Sequence, residues 1–142
     1  TRGLLVAFCV GVSLWLIMPF SIYNLTFILV HSAGAALLMS ALGMMTGIWA
    51  EKFDHVSTVT NFIILPLSFL SGTFFSVERF PDILQIASYF NPFFYLIDGF
   101  RYGLTGLAEG SLIIGLTVVV VANLVASTAC FVMFQTGYKL KA

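Results

Sequence analysis

A chain of 142 residues that is 60% hydrophobic and 8% charged, with a mean hydropathy of +1.05, falls outside the range of soluble domains, in which about a quarter of residues are charged. It is an integral membrane protein. Six basic and six acidic residues cancel to zero net charge, which excludes the basic footprint of a nucleic-acid binder. The length leaves room for four spanning segments and one surface excursion but for no soluble domain, so the expected fold class is all-α integral membrane.

Segment A, residues 4–20, is apolar except for Ser13, contains Gly11 and ends near Pro19. It is at the short end of the roughly 17–25 residues a spanning helix uses. Residues 21–24 leave space only for a tight turn, which makes segment B, residues 25–49, antiparallel to A. In segment B, Ser32, Ala36 and Ser40 recur at every fourth position and Gly43 and Gly47 form a G-x-x-x-G. Small residues at that spacing let helix backbones approach closely in lipid, so helix packing through Gly43 and Gly47 is expected, with a substrate-facing role as the sharper alternative. His31 lies one position before that face. It is read first as hydrogen-bonded to a neighbouring helix, with a ligand or proton-relay role left open.

The run Ala50-Glu51-Lys52-Phe53-Asp54-His55 is a compact charged cluster and must be an aqueous loop. Segment C, residues 56–75, carries Thr58, Thr60 and Asn61 early, Pro66 in its middle and Gly72 near its exit. Pro66 removes a backbone donor and is expected to kink the helix. Asn61 calls for a polar partner inside the bundle or a wet cavity, because an unsatisfied amide in hydrocarbon is costly.

Residues 80–104 are too broken to span. Pro81, Pro92, Gly99 and Gly103 divide them into pieces of two to three turns. Ile83, Ile86, Ala87 and Phe90 share one helical face. Asn91-Pro92 reads as a cap and first-position pair. Beyond it, Phe93, Leu96, Ile97, Phe100 and Leu104 form an apolar stripe opposite Tyr95, Asp98, Arg101 and Tyr102. Asp98 and Arg101, three apart with the acid first, have the spacing of a local ion pair. Two such elements in tandem predict a re-entrant helical hairpin, which short helices at membrane depth require to be covered by protein or to line a cavity. Aromatic crowding at Phe90, Phe93, Phe94 and Tyr95 is an interfacial anchor first and a lipid or sugar contact second.

Segment D, residues 111–138, is the longest and least interrupted and ends at Lys139 and Lys141. Four alternating segments put Arg2, Lys52, Lys139 and Lys141 on one side and Arg79 and Arg101 on the other. The positive-inside rule then places the C-terminus in the cytoplasm and the hairpin outside. Cys9 and Cys130 are far apart in apolar runs and read as buried packing thiols. No small-x-small cleavage site follows segment A, and an opening of Thr-Arg-Gly without Met suggests a fragment.

No phosphate-loop, H-E-x-x-H or G-x-S-x-G motif occurs, and no His, Cys and acid cluster has metal spacing. Catalysis has no nucleophile–base pair to rest on, so the chain is not expected to be an enzyme, and no catalytic, cofactor or metal residue is assigned.

The ordered set Pro66-Leu67-Ser68-Phe69-Leu70-Ser71-Gly72-Thr73-Phe74-Phe75, Phe80-Pro81 with Leu84-Gln85, Asn91-Pro92 and Asp98-Gly99-Phe100-Arg101-Tyr102-Gly103 resembles the signature region of the type 2 permeases of ABC exporters. The resemblance implies a six-helix permease of which segments A to D are the last four helices, with the hairpin extracellular and the upstream coupling helix absent. It implies a dimer with a second permease copy, alternating access, and a separate nucleotide-binding subunit, an ABC ATPase, that holds ATP and Mg²⁺. By that resemblance the protein sits in the bacterial inner membrane and exports an amphipathic or hydrophobic substrate such as a glycan, a lipid-linked sugar or a drug. Phe74 and Phe75 are then candidates for an outer gate, with packing against the hairpin as the alternative. Asp98 and Arg101 hold the hairpin or exchange partners as it moves. Glu51, Lys52, Phe53 and Asp54 are candidates for a cytoplasmic contact to the ATPase, or form a solvated turn. The competing reading from another class is a non-transporting membrane scaffold or assembly protein.

Overall fold

The computed structural model describes residues 2–17, 22–50, 52–73 and 77–137, and the regular structure among them is helical, without strands. In chain order they form α1 (Arg2–Ile17), α2 (Leu25–Trp49), α3 (Phe53–Val59), a π-helical turn (Thr60–Ile64), α4 (Leu65–Phe69), a 3₁₀ turn (Val77–Arg79), α5 (Asp82–Tyr89), α6 (Pro92–Thr105) and α7 (Leu112–Gln135). Two of them, α2 with 25 residues and α7 with 24, are long and apolar enough to cross a bilayer.

The core is a three-helix arrangement of α2, α6 and α7. Gly34 of α2 faces Val119 of α7, and further along Met44 meets Cys130, so the two long helices run parallel. Against α2, α6 runs the other way: Leu96 lies at Gly34, Gly99 at His31 and Gly103 at Ile28. The short helix is thus wedged between the first halves of two membrane-length helices, reaching about 14 Å along α2 at a rise of roughly 1.5 Å per residue.

Two glycines make the wedge possible. A methyl group at Gly103 would lie 2.6 Å from Ile28 Cγ1 and 3.0 Å from the Asn24 carbonyl oxygen, and one at Gly99 would overlap the His31 ring. Gly99-Phe-Arg-Tyr-Gly103 is itself a G-x-x-x-G, and it carries the helix packing that was expected of Gly43 and Gly47. Those two are exposed, with nothing within 4 Å of where a Cβ would stand. Among the described residues of this chain, α2 turns His31, Gly34, Leu38 and Ala41 inward and leaves the Gly43 and Gly47 face open.

His31 is 2% exposed, stacks on Phe27 with centroids 5.5 Å apart, and its Nδ1 lies 2.9 Å from the Phe27 carbonyl. The Nδ1 proton therefore goes to that carbonyl, in its own helix and not in a neighbouring one as expected. α6 is also buried more fully than a two-faced helix: Tyr95 and Asp98 of its polar stripe are enclosed along with Phe93, Phe94 and Leu96. It ends at Gly106, whose φ of +75° suits glycine and whose N–H donates to the Tyr102 carbonyl at 2.8 Å.

Where a kink was expected at Pro66, the helix shows a π turn one turn earlier. The π turn spans Thr60–Ile64, with the Leu65 N–H reaching back five residues to the Thr60 carbonyl. Asn61 is exposed on this chain and not enclosed in the bundle; the amide that enters the helix contacts is Asn123 of α7, whose Nδ2 donates to the Val119 carbonyl at 2.9 Å.

The Gly99–His31 contact is open to test. Gly99→Ala is expected to lower stability by about 1–3 kcal/mol, the usual cost of overpacking. The His31→Ala/Gly99→Ala double variant recovers part of that loss, and Gly43→Ala stays within about 0.5 kcal/mol of the parent, as surface changes do. Thermal unfolding in detergent reads all three.

Candidate functional site

The polar groups of the molecule converge where α6, the residues leading into α7 and the exit from α4 meet. Four side chains build this joint. Asn91 precedes Pro92, which tolerates the first helical position because it has no N–H to satisfy. The Asn91 Oδ1 accepts from the Phe93 N–H at 3.0 Å and so caps α6. Its Nδ2 donates at 2.6 Å to the Leu67 carbonyl, near the end of α4. The side chain is 2% exposed.

Asp98 is 3% exposed and accepts two backbone bonds, from the Glu109 N–H to Oδ1 at 2.8 Å and from the Gly110 N–H to Oδ2 at 3.0 Å. Both carboxylate oxygens are thereby matched to main-chain donors just ahead of α7. Arg101 makes the one ion pair among the described residues, with Glu109 (Nη1 to Oε1, 2.6 Å), and its Nη2 donates to the Gly72 carbonyl at 2.8 Å. The other Glu109 oxygen accepts from the Val77 N–H at 3.2 Å.

The expected Asp98–Arg101 pair is therefore corrected. The two lie on the same helix at ion-pair spacing, but the loop after α6 brings back two amides that satisfy Asp98 and a carboxylate that takes Arg101. Glu109 was missed because nothing local distinguishes it; its contacts reach back 8 residues to Arg101 and 32 to Val77. The Asn91-Pro92 pair sits at the start of α6 as its cap.

The other sequence-derived candidates do not join this cluster. Phe74, Phe75 and Glu51 lie outside the described residues, as do Lys139 and Lys141. Lys52 and Asp54 are exposed, and Phe53 opens α3. Near them the Trp49 and His55 rings meet at 5.4 Å.

A second feature is an open groove of about 330 Å³ between α2 and α7, walled by Leu37, Met44, Cys130 and Phe134 with Ser40 and Ser127 at its polar points. The Cys130 thiol is buried and donates to Met44 Sδ at 3.2 Å, while Cys9 is exposed, contrary to its expected burial. Chemically, the joint holds segments together through matched charges, and the groove is a mostly apolar wall with two hydroxyls.

The joint predicts an order of sensitivity. Asp98→Asn replaces an acceptor by a donor that faces a main-chain N–H, and is expected to cost about 2–3 kcal/mol, as for a buried group left unsatisfied. Glu109→Gln sets its amide nitrogen against either the Arg101 guanidinium or the Val77 N–H, but Glu109 is more open than Asp98 and water can serve the group left over, so it costs less. The exchange Arg101→Glu/Glu109→Arg does not restore the parent: a carboxylate cannot donate to the Gly72 carbonyl, and a guanidinium cannot accept from Val77. Unfolding midpoints of the three variants check the order.

Comparison with known proteins bears on this geometry. The ABC-2 type transporter family matches residues 1–105. The "Inner membrane transport permease YadH" of Escherichia coli K12 is 33% identical over 141 residues, covering 99% of this chain and 55% of the relative. "Nodulation protein J" of Rhizobium leguminosarum bv. trifolii is 31% identical over 96 residues, covering 68% of this chain and 34% of the relative. The chain thus spans about half the length of the first of these relatives and a third of the second. No solved structure was found to match. With more than half of its residues matched by the family, and the Asn91, Asp98 and Arg101 joint within the matched part, the chain belongs to the ABC-2 type transporter family.

Proposed function

We propose that these residues form the last four helices of a six-helix permease that exports an amphipathic or hydrophobic substrate across the bacterial inner membrane. A separate ABC ATPase, holding ATP and Mg²⁺, drives it by alternating access, and a second permease copy completes the path. The observation that carries the reading is the seating of α6. A helix of 14 residues that cannot span lies beside the first halves of two that can, with its ends and its buried charge satisfied by side chains and amides. In a membrane such an arrangement belongs to a re-entrant hairpin, since backbone that stops at depth must be covered by protein.

On this reading α1, α2, the run 53–69 and α7 are the four passes, α5 and α6 enter from outside, and the C-terminus is cytoplasmic. Lys52, Phe53 and Asp54, with Glu51, face the ATPase side. The groove between α2 and α7, apolar with two hydroxyls, supports an amphipathic substrate such as a lipid-linked glycan or a hydrophobic drug. The inner membrane location is supported by the name of the E. coli relative.

Two measurements on the full-length protein test this. A single cysteine at Ile83 or Gln85 is expected to react with an impermeant thiol reagent from outside intact cells, and one at Lys52 only after the membrane is opened. A detergent pull-down from native membranes is expected to bring an ATPase whose turnover depends on the permease. Purification without any ATPase under conditions that preserve membrane complexes would remove the motor and leave a membrane scaffold.

A further inference from the structure

The helical run 53–69 is held differently from its neighbours. α2, α6 and α7 each bury several residues, but none between Thr60 and Phe69 is buried. At its α3 end the His55 ring meets Trp49 of α2 at 5.4 Å, and at the other end the run is tied to the hairpin by hydrogen bonds. The Leu67 carbonyl takes the Asn91 amide at 2.6 Å, the Gly72 carbonyl takes Arg101 at 2.8 Å, and the Val77 N–H goes to Glu109 at 3.2 Å. Ser71 is fully enclosed there and Val77 is 1% exposed.

The backbone just before this anchored end is the least regular of the run. Within Thr60–Ile64 the hydrogen bonds step five residues instead of four. Pro66 follows at once, with no N–H to give and a ring that stands against the carbonyl four residues back, Phe62. The Thr60 and Ser68 hydroxyls donate to the carbonyls of Val56 and Ile64, each at 2.9 Å, a habit that bends helices. Single π turns inside α-helices are frequent at functional sites.

We infer that the run 53–69 is a lever. It is pinned to the hairpin through Leu67, Gly72 and Val77 and flexes at Thr60–Ile64, so that Phe53–Val59 moves while Leu65–Phe69 stays with α6. The source of the motion rests on the transport reading above; the flexing does not. Phe53–Val59 adjoins the Lys52 and Asp54 stretch, so a push received there turns at the π turn and does not disturb the joint around Asp98.

The test uses the full-length protein in nanodiscs, in a cysteine-free background, with spin-label pairs on exposed positions. Asp54→Cys with Ile83→Cys spans the flex point; Phe69→Cys with Ile83→Cys lies on the pinned side. The first pair is expected to give a broad distance distribution and the second a narrow one, and Pro66→Ala narrows the first by restoring a backbone donor. Amide exchange at Thr60–Leu65 is expected to be about tenfold faster than in the middle of α2, as for locally opening segments. Adding the co-purified ATPase and a nonhydrolysable ATP analogue shifts the first pair and leaves the second. A narrow first pair, or a second pair as broad as the first, would overturn the lever even if Pro66→Ala failed to fold. A broad first pair that ignores nucleotide supports the lever and counts against the ATP-driven reading alone.

Discussion

The approach of α6 to α2 is the contact on which the rest of the structure depends. Gly99 and Gly103 remove the side chains that would hold the two backbones apart, so that the His31 ring and Ile28 fill the space. The approach is close enough for the Asn24 N–H to reach the Gly103 carbonyl at 2.8 Å. With α6 seated there, its other side meets α7 where Gly115 admits the Tyr95 ring. Asn91, Asp98 and Arg101, which reach the other segments, all stand at the start of α6 or on it. Their bonds of 2.6 to 3.0 Å leave little slack, so a shift of α6 would break all of them together.

Lipid makes this reliance on shape and polar pairing understandable. Helices in hydrocarbon gain little by hiding apolar surface from one another, and association comes from close packing and hydrogen bonds. The charged groups at the joint contribute unequally. Asp98 is enclosed and accepts two charge-assisted bonds, each worth about 1.5–3 kcal/mol. Arg101 and Glu109 are partly open, with side chains 28% and 20% exposed, and open ion pairs add only about 0–1 kcal/mol. Their larger role is geometric, because each also holds a backbone group of the segment leaving α4.

Much of this was legible in the sequence because it depends on local patterns. Apolar length marked α2 and α7, proline and glycine spacing marked the two short helices, and Asn91-Pro92 marked where α6 begins. What could not be read depends on groups that meet only after folding. Asp98 and Arg101 have the spacing of a pair, yet spacing says nothing of a loop that returns with Glu109 and two free amides. G-x-x-x-G occurs on α2 at Gly43 and on α6 at Gly99. Which of them is used depends on where another backbone lies, and α6 reaches only the first half of α2. The π turn was hidden for a related reason: Pro66 announces a defect, but whether the helix kinks or adds a residue to one turn depends on how its end is held.

Asn91 shows why so short a motif can determine so much. The end of α4 leaves the Leu67 carbonyl without a helical donor, since the Ser71 N–H goes to Ser68. The start of α6 leaves the Phe93 N–H without an acceptor. One side chain serves both, and few could. Aspartate caps helices as well as asparagine does but has no donor for Leu67 when ionised. Serine has a single group on a stem too short to face both ways, and glutamine carries the right atoms on a longer, looser chain. Asparagine alone places a fixed acceptor and a fixed donor on opposite sides of one planar group. The geometry of the whole exit from α4 therefore follows from the orientation of one amide, which the proline after it holds in register with the first turn of α6.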